Sequence, residues 1–149
     1  VVIRRDRLYW VSVGDSPLYL FRDGALRQLN QDHSLAPHID MLVQKGAMTA
    51  EAGRNHPERN TLTSAIAGVP FEDVDYPSCS VMLRPDDVVV IASDGLQYLS
   101  DAAIAETLKQ TRHETGAGIA NGMKDAIETL DHPKQDNAAF IVIKLDAAE

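Results

Sequence analysis

Val88-Val89-Val90-Ile91-Ala92-Ser93-Asp94-Gly95 is the stretch whose reading decides the fold. Five apolar residues, four of them β-branched, run directly into Ser-Asp-Gly. A short apolar run bounded by turn residues is the pattern of a strand buried on both faces. The strand ends on a carboxylate, and Gly95 lets the backbone turn sharply at little steric cost. Asp94 is thereby held at the lip of a core, where a charge is costly unless it is paired or bound to a metal. Read alone, Asp94-Gly95 is more simply an ordinary turn dipeptide. The remainder of the chain shifts that balance.

Working outward, the chain has 149 residues, of which 44% are hydrophobic and 24% charged. That is enough for one domain with a sizeable core and predicts a soluble, globular protein. No apolar run approaches the length of a bilayer span, and no secretory leader pattern is present, so no membrane partner is expected. The formal net charge of −8 argues against a general nucleic-acid-binding surface. It is compatible with a site that gathers carboxylates around hard cations, although acidity also serves solubility. The single cysteine, Cys79, excludes an internal disulfide framework and reads as structural. A reducing, cytoplasmic setting is the simplest expectation. The chain begins Val1-Val2-Ile3 and runs quickly into strand-like sequence. This reads as a fragment with a further part of the domain upstream.

Upstream of the central stretch, Leu8 to Val13 and Leu18 to Phe21 are rich in strand formers. The Gly14-Asp15-Ser16-Pro17 cluster between them predicts a hairpin, followed by a turn at Arg22-Asp23-Gly24 and a third strand over Ala25 to Leu29. Asn30 to Ser34 ends this meander. Asp32 and Ser34 there suit side-chain turns, and His33 is open to reading as a metal ligand, a proton donor or, more simply, neither. Ile39 to Val43 predicts a short helix ending near Gly46, and Thr49 caps a second one through about Arg54. Two short helices between strands form an excursion from the sheet, and such excursions often border sites. Asp73 to Leu83 is strand-like.

Downstream, Ser100 caps a helix of about ten residues in which Ile104 and Leu108 share a face. Thr115 caps a longer one, with Ile119, Met123, Ala126, Ile127 and Leu130 at helical spacing, stopped by His132-Pro133. Ala138 to Ile143 then predicts a last, fully buried strand, with Asp136 at its beginning. Asp15, Asp94 and Asp136 thus all occupy strand edges. If those strands are neighbours, the carboxylates converge, and their mutual repulsion calls for protons or bridging cations. Oxygen-only donors select Mg²⁺ or Mn²⁺ rather than zinc. No P-loop, dinucleotide glycine fingerprint or Gly-x-Ser-x-Gly elbow is present.

The order of short motifs carries more than any one of them. Val13-Gly14-Asp15-Ser16, Gln31-Asp32-His33-Ser34, Gly46-Ala47-Met48-Thr49 with Asn60-Thr61-Leu62-Thr63, Ala92-Ser93-Asp94-Gly95-Leu96 and Gln135-Asp136-Asn137 follow one another from about Leu8 to Leu145. This series resembles the metal-dependent serine/threonine protein phosphatases of the type 2C family, most of all the compact bacterial branch. The resemblance implies an α+β fold of two antiparallel β-sheets in a sandwich flanked by helices. It implies hydrolysis of phosphoserine and phosphothreonine in phosphorylated protein substrates by metal-activated water. Asp94 and Asp136 match the aspartates that bind the two central metals. Asp15 matches the aspartate that helps hold a third, more weakly bound ion. Gln44 to Asn60 match the variable flap beside the active site.

Departures from the pattern are equally specific. The family's upstream half carries an arginine for the substrate phosphate and an Asp-Gly whose aspartate bridges both metals. Neither precedes Gly14, and Asp23-Gly24 comes in the wrong order. Residues 1–149 therefore read as the C-terminal part of a single phosphatase catalytic domain, whose partner is the N-terminal remainder of the same domain. Pro17 stands where an arginine is common, and Tyr98 where many members carry an aspartate near the third metal, so the third-metal site is the most altered. Two alternatives remain at this level. One is a non-catalytic pseudophosphatase or phosphoprotein-binding module. The other is a plain β-sandwich whose aspartates are turns.

Overall fold

The fold was read from a computed structural model, which describes residues 1–68, 70, 73–130 and 136–146. Val88–Ala92 (β6) is a strand whose first three residues are essentially inaccessible to water. It pairs antiparallel with Leu18–Arg22 (β3) on one side and Phe140–Lys144 (β7) on the other. Ala25–Gln28 (β4) extends the same sheet beyond β3, giving the order β4-β3-β6-β7. A second, three-stranded sheet is formed by Val2–Arg4 (β1), Arg7–Tyr9 (β2) and Val81–Met82 (β5), in the order β1-β2-β5.

Side-chain alternation assigns each face of the larger sheet to a different core. Tyr19, Val90 and Val142 lie in register on one face. That face packs under Asp101–Thr111 (α3) and Gly116–Leu130 (α4), burying Ile104, Leu108, Ile119, Met123 and Ile127. Leu20, Val89 and Ile143 lie in register on the other face. They meet Leu8, Trp10 and Leu83 from the smaller sheet. Each fully buried aliphatic side chain in these layers contributes about 1.5–3 kcal/mol. The result is two antiparallel sheets face to face with helices outside, as expected.

The Ser100 hydroxyl accepts from the Ala103 N–H at 3.2 Å, the Thr49 hydroxyl from the Ala52 N–H at 3.1 Å and the Thr115 hydroxyl from the Gly118 N–H at 3.2 Å, so all three predicted N-caps form. The excursion contains Ala36–Gln44 (α1) and Ala50–Arg54 (α2), and Gly46 at φ +72° follows the first of them. The helix stop predicted at His132-Pro133 lies outside the described residues.

Four local expectations are corrected. Leu8–Val13 and Leu18–Phe21 do not form a hairpin, because the chain changes sheets between them. Ser12 pairs with Asp75, and the Trp10 indole N–H donates to the Asp75 carboxylate at 2.8 Å, which keeps this segment with the smaller sheet. The strand expected over Asp73 to Leu83 contracts to Val81–Met82, interrupted by the Pro77 to Ser80 segment. The last strand is half-buried rather than fully buried, with Ile141 60% exposed, because β7 stands at the edge of its sheet. Leu130, placed by periodicity on the core face of α4, is exposed in the helix's final turn.

Candidate active site

β6 delivers its terminal residues to one end of the sandwich. Asp94 opens a single 3-10 turn, Asp94–Tyr98. Ser93 stitches this turn to the segment entering β7. Its N–H donates to the Ala139 carbonyl at 2.8 Å, and its hydroxyl accepts from the Ala139 N–H at 3.0 Å. Gly95 makes the approach possible. A Cβ there would lie 2.8 Å from the Asn137 carbonyl carbon and 2.9 Å from the Ala138 Cα, closer than packed atoms allow. Asp94 and Asp136, 42 positions apart in the chain, are thus brought to one surface by backbone packing.

Asp15 reaches the same surface on the loop that changes sheets. Gly14 adopts φ +101°, a conformation that favours glycine, and leads into the half-buried Asp15. The buried Asn30 grips the loop on both sides of Asp15. Its carboxamide oxygen accepts from the Leu18 N–H at 2.7 Å, and its NH₂ donates to the Ser16 carbonyl at 2.9 Å and the Ser12 hydroxyl at 3.0 Å.

The three aspartates line one cleft of about 490 Å³. Asp32, Asp40 and Asp101 also line it, and Arg59 is the one cation among the described lining residues. Arg59 is engaged, donating to both oxygens of Asp40 at 2.7 and 2.9 Å. Burial pushes the Asp15 carboxyl above its ordinary value against the opposing effect of a backbone hydrogen bond, and the charges of Asp94 and Asp32 push it the same way. Tyr19 lies in the floor and donates from its hydroxyl to Asp101 at 3.3 Å. Burial, followed by the Asp101 charge, raises its ionisation well above the usual phenol range.

Asp32 was read from sequence as a turn former, yet it lines the cleft, and its Oδ1 is buried without a hydrogen-bond partner among the described residues. A polar run between strands gives no sign of this burial, and the segment was marked only by its place in the motif series as Gln31-Asp32-His33-Ser34 and by its position beside the excursion. The flap-like excursion closes at the same place. The Leu35 N–H donates to the Thr61 carbonyl at 3.0 Å and the Thr63 N–H to the His33 carbonyl at 2.8 Å.

The donor set fits a hard divalent cation. It offers carboxylate oxygens, one of them desolvated and unpartnered, in a field that repels further negative charge. Among the described residues, no three His, Cys, Asp or Glu side chains group closely enough to cage an ion by themselves. Mg²⁺ tolerates this, since it usually keeps several waters and takes only one or two carboxylates.

A two-sheet sandwich with external helices and an acidic cleft at one end defines the class. Over the part it spans, the chain is similar in sequence and in fold to the type 2C serine/threonine phosphatases. It is 32% identical over 112 residues to the serine/threonine phosphatase stp of Listeria innocua, a match covering 74% of this chain and 42% of that protein. It is 39% identical over 98 residues to a type 2C protein phosphatase of Streptococcus pyogenes, covering 64% of this chain and 37% of that protein. The solved Mycobacterium tuberculosis serine/threonine phosphatase PstP superposes with a TM-score of 0.74 at 29% identity, over 98% of this chain and 58% of that one. A PstP catalytic domain solved in complex with two manganese ions shares the fold, with a TM-score of 0.64 at 23% identity over 97% of this chain and 56% of that one. No protein-family model matches the chain. The chain therefore spans about two fifths of the length of these curated relatives. Among the described residues no helix is long and apolar enough to cross a membrane.

Proposed function

We propose that the protein of which this chain is part hydrolyses phosphoserine and phosphothreonine in phosphorylated proteins, using Mg²⁺ or Mn²⁺. The observation that carries this reading is the meeting of Asp15, Asp94 and Asp136 in one acidic cleft, in a fold shared with phosphatases. Asp94 and Asp136 would hold the two central ions, and Asp15 a third. When bound, the ions supply electrophilic assistance at phosphorus and activate water for attack.

The chain's own residues prepare that chemistry. Gly95 and Ser93 set the spacing of Asp94 and Asp136, Asn30 holds the Asp15 loop, and the surplus of carboxylates concentrates cations at the cleft. The same carboxylates repel a phosphate dianion until cations neutralise them, so substrate binding and metal binding are linked. The excursion over residues 36–60 borders the cleft through Ala36, Asp40, Arg59 and Asn60 and would meet the phosphoprotein. The N-terminal remainder of the same domain would contribute the bridging Asp-Gly and the phosphate-binding arginine. A non-catalytic pseudophosphatase reading is not favoured, since the relatives are named as phosphatases.

The test is hydrolysis of a small aryl phosphate by the full-length protein, with Mn²⁺ and with chelator. Turnover is expected with Mn²⁺ alone, and Asp94→Asn is expected to lower it at least ~100-fold. Normal turnover by Asp94→Asn overturns the assignment.

A further inference from the structure

His33 is 5% exposed and faces the loop that presents Asp15. It is joined to Gly14 twice. The Gly14 N–H donates to the His33 Nδ1 at 3.2 Å, and the His33 N–H donates to the Gly14 carbonyl at 3.2 Å. An accepting Nδ1 places the ring proton of the neutral imidazole on Nε2, which is buried without a partner among the described residues. Burying an unsatisfied N–H is costly, so packing alone would favour an apolar residue here. The imidazole's one described hydrogen bond goes to the residue immediately before Asp15.

We infer that His33 is a positioning residue for Asp15: its Nδ1 locks the positive-φ Gly14 so that the Asp15 carboxylate stays in the cleft beside Asp94 and Asp32. This rests on the reading of Asp15 as a metal-holding group. Asn30 holds the loop at Ser16 and Leu18 beyond Asp15 and at the Ser12 hydroxyl before it, while His33 restrains Gly14, the residue immediately before Asp15. The backbone of His33 also receives the end of the excursion through the Thr63 N–H, so one residue ties the Asp15 loop to the element bordering the cleft.

Two readouts on the full-length protein test this. The first is NMR of the Gly14 amide, its exchange protection and its coupling to the imidazole nitrogen. The second is Mn²⁺ titration, with Asp15→Ala as the reference for loss of that carboxylate. His33→Leu is expected to remove the Gly14 protection and weaken Mn²⁺ binding roughly tenfold, towards the Asp15→Ala value. His33→Asn keeps an acceptor at the δ position and is expected to restore binding to within about twofold of wild type.

Wild-type Mn²⁺ affinity and Gly14 protection in His33→Leu, with Asp15→Ala impaired, would overturn the inference and leave the metal reading standing. Equal Mn²⁺ binding by wild type and Asp15→Ala would overturn the metal reading, and the Gly14 amide would still decide whether His33 restrains the loop. Should His33→Leu fail to fold, failure of His33→Asn to keep the Gly14 protection in a folded protein would overturn the inference by itself.

Discussion

Asp15 illustrates how a single residue trades stability for chemistry. Its folded-state pKa is raised by burial and by the charges of Asp94 and Asp32. A carboxyl with a raised pKa stabilises the fold below its ordinary value, and that contribution is lost as pH rises through the folded-state value. At neutral pH the ionised Asp15 therefore destabilises the metal-free protein. Asp15→Asn is expected to raise the melting temperature in chelator at pH 7 by roughly 1–2 °C, a small effect because water screens much of the repulsion. The gap should close as pH falls into the ordinary carboxylate range, and added Mn²⁺ should narrow it by stabilising wild type more than the variant. Differential scanning fluorimetry across pH, with and without Mn²⁺, reads all three outcomes. The prominence of Asp15, Asp94 and Asp136 was legible because each ends or precedes an apolar run. Asp32 and His33 were marked only by their place in the motif series, because burial and an unpartnered atom are properties of surroundings that a short polar loop does not display.

At the scale of elements, the decisive contact is the 3-10 turn after β6 lying against the segment before β7. Gly95 permits it, and Ser93 ties it by two backbone-directed hydrogen bonds to Ala139. Gly95→Ala forces backbone atoms apart, since the new Cβ meets the main chain of Asn137 and Ala138 rather than a yielding side chain. The expected cost is about 1–3 kcal/mol in urea unfolding. Unlike an overpacked site elsewhere in the core, it should also weaken Mn²⁺ binding, because it separates Asp94 from Asp136. Calorimetric titration of the folded variant checks the second outcome. Helix elements were legible in detail, since caps at Thr49 and Ser100 and the Ile119-Met123-Ile127 spacing are local signals. Strand elements were less so. Leu8 to Val13 alternates well enough for either sheet, and Pro77 broke a strand that its flanking Val and Tyr residues favoured.

Across the whole molecule, Arg22 links the two sheets from within a half-buried ion pair with Asp87. Arg22, ending β3, donates to both Asp87 oxygens at 2.8 and 2.6 Å and to the Met82 carbonyl of β5 at 2.7 Å. Asp87 is 2% exposed and also accepts from the Arg84 N–H at 2.7 Å. Asp87→Ala removes the hydrogen bonds to Arg22 and Arg84 and leaves the half-buried Arg22 to water, so it is expected to cost about 1.5–3 kcal/mol, read from the urea midpoint at unchanged slope. A shift below about 1 kcal/mol would mean that the sheets are held by their apolar interface alone.

Sequence by itself determined the buried strand Val88–Ala92, the capped helices, the turn glycines and the motif order that marks the family. All of these depend on periodicity or on hydrogen bonds spanning a few residues. Only the tertiary structure decided that β2 and β3 part into different sheets, that β7 is an edge, and that Asp15, Asp32, Asp94 and Asp136 share one cleft. Those outcomes rest on contacts such as Ser93 with Ala139, Asn30 with Leu18 and His33 with Gly14. The energy of each such contact depends on where distant parts of the chain come to lie, to which a local pattern is blind.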